Sequence, residues 1–182
     1  MKKILFLILF SILLFSCKED KIEPRLDKVK TEGEIPSNES WNTVIRFTDD
    51  DGKIKAVLYS DHLKVLEKQK ITLLEGVKID FYNKEQKKTS QLTSLFGKVD
   101  DVTNNMYASD NVVAMNDSGT VLKTTDLMWR NRDQKIVTDK FVRITSPKEI
   151  IEGFGMESDQ YLDNYTIFNI TYSATVPRKK EK

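Results

Sequence analysis

The chain has 182 residues, and its 29 Lys and Arg against 28 Asp and Glu give a formal net charge of only +1. This near-neutral charge lacks the basic excess with which proteins bind nucleic acid. The single cysteine excludes an internal disulfide. With only one histidine, His62, the chain has too few nitrogen and sulfur ligands for a typical zinc site. We therefore expect no nucleic-acid partner, no metal and no cofactor.

Residues 1–16 have the pattern of a secretory signal peptide. Two lysines precede an apolar run from Ile4 to Phe15, which is shorter than the ~20 residues that cross a bilayer. The run ends at Leu14-Phe15-Ser16-Cys17, which resembles the bacterial lipobox. We expect acyl chains on Cys17 to anchor the mature chain to a membrane. The alternative is an ordinary signal peptide with an incidental cysteine.

Three further segments follow the signal peptide. Residues 17–38 are rich in charge and contain Pro24, Gly33 and Pro36, which predicts a flexible tether behind the lipidated Cys17. Residues 39–176 are long enough for one domain. Residues 177–182 form a basic tail.

The central domain has an all-β pattern. Short runs of Val, Ile, Thr, Tyr and Phe alternate with turn residues, and only Leu63 to Leu74 is ambiguous between strand and helix. Residues that favour tight turns predict hairpins at five places: Asp49–Gly52, Asn83–Gln86, Asn116–Gly119, Asn131–Gln134 and Ser146–Lys148.

A weak internal repeat starts at Val77, Val112 and Val142, and it indicates stacked hairpins that bury one face against their neighbours. We expect two facing sheets around an apolar interior. Strict alternation along each strand predicts the inward set: Val77, Ile79, Phe81, Leu92, Val112, Ala114, Leu122, Met128, Val142, Ile144, Phe154 and Met156. For Phe154, the flanking Gly153 and Gly155 predict a bulge.

Several segments, in this order, resemble the LptC family of lipopolysaccharide export proteins: Gly76–Tyr82, Ser90–Ser94, Thr124–Trp129, Ile136–Asp139 and Ile151–Asp159. The resemblance implies an open, twisted β-jellyroll whose apolar groove, formed by the inward set, receives lipopolysaccharide through its lipid A. The donor would be an ATP-driven ABC transporter in the inner membrane. The acceptor would be a periplasmic LptA-like jellyroll of the transenvelope bridge.

The same resemblance implies pairing through the edges of the sheet. We expect the transporter side at Trp41, Val44, Ile45 and Phe47, and the acceptor side at Tyr165, Ile167, Phe168, Ile170 and Tyr172. Many family members have an N-terminal transmembrane helix, whereas this chain is expected to keep acyl chains on Cys17. The expected location is the periplasmic face of the inner membrane.

Two other functions compete with lipid transport. Lys18-Glu19-Asp20 after Cys17 resembles a surface-export tag, which would place the protein on the outer membrane as a surface lipoprotein binding glycan or protein. A glycan-cleaving enzyme would need a pair of carboxylates across a cleft. Five acids are available, but they alternate with apolar residues or lie beside turns, so we expect no enzyme activity: Asp80, Asp126, Asp139, Glu157 and Asp159.

Overall fold

The computed structural model describes residues 35–176. The signal peptide at residues 1–16, the lipid attachment at Cys17, most of the tether and the tail at 177–182 lie outside these described residues. The predictions made for these segments are therefore not tested by the structure. The described part of the chain, from Ile35 to Val176, contains the domain predicted at residues 39–176.

The described residues form one sheet of nine antiparallel strands in which each strand pairs with the next along the chain. The strands are β1 (Asn38–Thr48), β2 (Ile54–Leu66), β3 (Ile71–Tyr82), β4 (Lys88–Asp100), β5 (Met106–Asn116), β6 (Val121–Arg130), β7 (Lys135–Thr145), β8 (Glu149–Asp159) and β9 (Tyr165–Thr175). The prediction of an all-β, open jellyroll is confirmed. The sheet is continuous, however, instead of two separate sheets, and β1 and β9 are its free edges.

The predicted turns lie between consecutive strands, and several use the same local hydrogen bonds. The Oδ1 atom of Asp49 accepts the backbone N–H of Asp51 and Lys53, at 3.1 and 2.9 Å. Asn83 accepts two backbone N–H groups in the same way, and Asn116 accepts that of Thr120. Short Asx side chains stabilise tight turns by such bonds. The ambiguous stretch Leu63–Leu74 contains the end of β2, a turn and the start of β3.

Pairing between neighbouring strands is interrupted near the middle of every strand. The interruptions form a continuous line across the sheet, which we call the bend line. Bulges and similar irregularities bend a strand and increase its twist. The bend line runs through Asn42, Asp61, Gly76, Leu95, Asp110–Asn111, Thr125, Asp139–Lys140, Gly155 and Phe168.

Left-handed backbone conformations occur at several points of the bend line. Gly76 and Gly155 have φ angles of 62° and 75°, and Asn42, Asp110 and Asn111 have φ angles between 51° and 59°. Glycine, asparagine and aspartate are the residues that adopt this region most readily. At Gly76 the space is also closed, because an added Cβ would lie 2.0 Å from Oδ2 of Asp61.

The bends allow side chains from β4 to β9 to meet in one core cluster. Its most buried members include Leu122, Val142, Ile144 and Met156, each with no exposed surface. A second, smaller cluster belongs to β2 and β3 and consists of Leu58, Leu63, Leu74 and Val77. The face of the sheet that carries these clusters is called the inner face. Among residues 35–176, no helix is long and apolar enough to cross a membrane.

Candidate functional site

A cavity of about 470 Å³ lies on the inner face of the sheet. Its volume is within the range of roughly 300–1,000 Å³ that is usual for ligand pockets. The walls come from β2 to β7, together with Phe47 of β1 and with Gln160 and Tyr161 after β8. Its lining includes buried residues of both core clusters, so the cavity lies between the two clusters.

The cavity wall is mainly apolar, and polar side chains surround its mouth. Lys84, Gln86 and Gln134 line the cavity and are exposed, so the cavity reaches the surface there. Lys55 and Gln160 also belong to this polar rim. An apolar interior with a polar rim suits a molecule that has a hydrocarbon part and a polar head.

Trp129 lines the cavity with an indole ring whose N–H group has no partner among the described residues. Its side chain packs against the larger core cluster and lines the cavity. The Nε1 atom is buried and has no hydrogen-bond partner among the described residues. The second tryptophan, Trp41, lies outside the cavity, is 62% exposed and stacks on His62 with ring centroids 4.9 Å apart. The two indole rings therefore have contrasting environments.

Four of the twelve residues predicted for the groove line this cavity: Val77, Ile79, Phe81 and Leu92. Ile79 packs against both core clusters and pairs with Leu58 and Leu92. Six further predicted residues are buried in the larger core cluster, away from the cavity: Val112, Ala114, Leu122, Val142, Ile144 and Met156.

Two predicted inward residues need correction. Phe154 is 49% exposed and stacks edge-on against Phe141, so it does not point into the interior. Met128 is buried, but the core cluster contains its neighbour Leu127 instead. Both errors have one cause: strict alternation was carried across the bend line, where an irregular residue shifts the inward positions by one. In β8 the irregular residue is Gly155.

Sequence reasoning missed several residues of the cavity wall. Two of them lie on β2, which the inward set did not include, and the others lie on strands that it covered only in part: Ala56, Leu58, Leu74, Ala108, Leu127 and Ile136. For Leu127 the signal was present in the sequence, because Thr125 and Asp126 form a polar pair in mid-strand. Two consecutive polar residues interrupt the alternation of apolar and polar residues, and an extra residue at such a point shifts the alternation that follows it.

Three of the five acidic residues considered for catalysis form ion pairs, namely Asp80, Asp139 and Glu157. Asp80 contacts Nζ of Lys88 at 2.6 Å and accepts a hydrogen bond from Gln91 at 2.6 Å. Burial opposes ionisation of Asp80, but these bonds and the charge of Lys78 outweigh it and lower its pKa. Glu157 also has a lowered pKa, because Lys135 donates a hydrogen bond to it and Arg130 a second one. Both carboxylates are therefore ionised structural partners at neutral pH.

The two edge strands differ in how much of them is buried. In β9, Ile167 belongs to the core cluster and Tyr165 packs against it, whereas Phe168, Ile170 and Tyr172 are 51–59% exposed. In β1, Ile45 packs on the smaller cluster and Phe47 lines the cavity, whereas Trp41 and Val44 are 62% and 46% exposed. The free apolar surface of β9 thus begins at the bend line and continues toward the C-terminus.

The model of one protein family matches the chain, that of lipopolysaccharide-assembly, LptC-related proteins, over residues 4–170. The matched range includes β1 to β8 and the first half of β9, and so all the strands that form the cavity. It agrees with the resemblance that the ordered sequence segments suggested. A search of curated proteins finds no match to this chain.

Proposed function

The chain belongs to the LptC-related family of lipopolysaccharide-assembly proteins, and we propose that it binds lipopolysaccharide by taking acyl chains into the cavity at β2–β7. Membership implies a part in lipopolysaccharide transport on the periplasmic side of the inner membrane, a role that involves no chemical step. The observation that carries the proposal is the apolar cavity, which reaches the surface beside a polar rim.

Hydrocarbon chains need such a shelter because each methylene exposed to water costs ~0.8 kcal/mol. Val77, Ile79 and Phe81 follow one another on the inner face of β3 and form a continuous apolar strip along the cavity wall. Every second residue of a strand points to the same face, so a sheet provides this kind of strip naturally. The sugar head would stay at the rim, near Lys84 and Gln134.

The proposal includes a direction of transfer. Acyl chains on Cys17 hold the domain at the inner membrane, where the ABC transporter delivers the lipid. The exposed part of β1 faces the transporter, and β9 passes the lipid to a periplasmic LptA-like jellyroll by pairing with its edge strand. The exposure of Phe168, Ile170 and Tyr172 supports this role for β9.

Tryptophan fluorescence tests the cavity directly. In a Trp41→Phe variant, lipid A with brominated acyl chains should quench the emission of Trp129, because bromine atoms in the cavity would touch its ring. We expect saturable quenching in a titration, together with a shift of the emission to shorter wavelength as lipid replaces water.

The matched control is Trp129→Phe, which leaves only Trp41 on the outside of the domain. In this variant the same brominated lipid should cause little quenching, and unbrominated lipid A should quench neither variant. Equal quenching of Trp41 and Trp129, or none of Trp129, would contradict acyl binding in the cavity.

A further inference from the structure

The charged residues that line the cavity are mostly lysines. Lys55, Lys84 and Lys98 belong to the lining, and Asp49 is the one acid there among residues 35–176. This excess of positive charge is local, since the whole chain has 29 basic and 28 acidic residues. The Oδ1 atom of Asp49 also accepts two backbone N–H groups of its own turn, at 3.1 and 2.9 Å. The cavity therefore offers cationic groups to a ligand and little free negative charge.

Two of these three lysines are available to a ligand. Nζ of Lys98 lies 4.5 Å from the ring centroid of Tyr107, so this lysine has a cation–π partner. Lys55 and Lys84 are exposed, and neither forms an ion pair within the described part of the chain, whereas five other lysines of the sheet do. Glu85, the acid next to Lys84, does not line the cavity. The ammonium groups of Lys55 and Lys84 are thus left for a ligand at the polar rim.

Hydrogen bonds hold the two segments that carry these lysines against each other. Gln86, in the turn after β3, accepts the backbone N–H of Ile54 with its Oε1 at 3.0 Å and donates from its Nε2 to the backbone O of Ile54 at 3.1 Å. Nζ of Lys53 donates a hydrogen bond to the backbone O of Lys84 at 3.5 Å. Because Lys55 directly follows Ile54, both lysines belong to one connected corner of the cavity mouth. Groups that are held in place before binding lose less entropy when a ligand arrives.

We propose that Lys55 and Lys84 bind a phosphate group on the sugar head of the lipid whose acyl chains occupy the cavity. This inference rests on the proposed function and adds an orientation to it. A phosphate monoester carries a charge of about −1.5 to −2 at pH 7 and has three acceptor oxygens, and lysine ammonium groups bind phosphate as point charges. The head lies at the corner beside the turn after β3, and the acyl chains extend from Phe81, next to that turn, toward Val77.

Titration of the full-length lipoprotein with two lipids tests the inference. Both lipids are lipid A with the same brominated acyl chains, one with its phosphates and one from which they have been removed. Quenching of Trp129 in the Trp41→Phe background reports binding. The double variant Lys55→Gln/Lys84→Gln should bind the phosphorylated lipid about fivefold more weakly, because it loses two exposed charge contacts. Its affinity for the phosphate-free lipid should equal that of the protein with both lysines.

The matched control is Lys87→Gln/Lys123→Gln, which removes the same charge from two exposed lysines outside the cavity. This variant should bind both lipids as the protein with all its lysines does. Equal weakening by the two double variants would indicate general attraction by net charge and overturn the inference. Inorganic phosphate at millimolar concentration should not displace the lipid, and displacement would assign the lysines to free phosphate instead of the sugar head.

The outcomes separate the inference from the proposed function. If the Lys55→Gln/Lys84→Gln variant binds the phosphorylated lipid with unchanged affinity, or loses equal affinity for both lipids, the phosphate contact is wrong and acyl binding in the cavity remains. If neither lipid quenches Trp129 in the protein with both lysines, the proposed function fails and the inference fails with it. Thermal unfolding of the double variants should match that of the unaltered protein, since all four lysines are exposed.

Discussion

Replacing Ile79 with tryptophan should weaken the binding of lipid A at least tenfold. Ile79 lies on the inner face of β3, lines the cavity and touches both core clusters. The larger ring would occupy part of the cavity of about 470 Å³ that we assign to the acyl chains. A tenfold loss corresponds to about 1.4 kcal/mol of binding free energy. Titration with brominated lipid A, with Trp41 and Trp129 replaced by phenylalanine, measures quenching of the new tryptophan and the affinity.

The control for Ile79→Trp is Lys123→Trp, which adds the same ring at an exposed position of β6. Thermal unfolding of both variants reports whether the domain remains folded, since overpacking of a dense core costs typically 1–3 kcal/mol. If the Ile79→Trp variant does not fold, Ile79→Phe makes the same test with a smaller ring. An unchanged affinity in a folded Ile79 variant would show that the lipid binds elsewhere.

Lysines at Ile170 and Tyr172 should abolish capture of the periplasmic jellyroll. These side chains are 58% and 51% exposed, so charges there need no space in the core. Lysines on an edge strand hinder its pairing with other strands, and natural sheets use them for this purpose. Co-purification of the jellyroll with the double variant should fall at least tenfold. Lipid quenching of Trp129 and the thermal unfolding temperature should stay close to those of the unaltered protein.

The matched control places a lysine at Val44, an exposed apolar position on the other edge strand. This variant should keep the jellyroll and, on our proposal, lose contact with the transporter. Ile167 is unsuitable for the test, because it is only 9% exposed and belongs to the core cluster. Capture that persists with lysines at both Ile170 and Tyr172 would assign the handover to another surface.

The turns could be predicted from the sequence because their causes are local. Asp49, Asn83 and Asn116 each hydrogen-bond to backbone N–H groups two to four residues further along the chain. The strands between these turns then follow from their alternation of apolar and polar residues. Fold class and strand order in a simple meander therefore depend on short-range interactions. The family could be predicted as well, because several sequence segments resemble it in the same order.

The inward residues could be predicted only as far as the bend line. In β6, Leu122 is inward as expected, but beyond Thr125 the inward residue is Leu127 and not Met128. Likewise Met156 is in the core, whereas Phe154, two residues earlier, is exposed because Gly155 intervenes. The bend extends over all nine strands, and the position of each interruption depends on the neighbouring strand. The sequence of one strand alone therefore does not reveal where its alternation shifts.

The sequence also could not separate the cavity from the closed core. Leu92 lines the cavity, and Ile144 is completely buried elsewhere, although both are aliphatic residues of similar size on the inner face of a strand. Which of them borders the cavity depends on how the bends shape the whole sheet, and not on the residues next to it in the sequence. The sequence patterns carry no information on this shape.

Photo-cross-linking in living cells tests the central claim most directly. A photoreactive amino acid at Phe81, on the cavity wall, should form adducts with lipopolysaccharide, and so should one at Leu92. The same amino acid at Phe154 or Lys123, which are exposed on the outside, should form none. Adducts at Phe154 and Lys123 with none at Phe81 and Leu92 would contradict the account, because the lipid would then travel along the outer surface of the sheet.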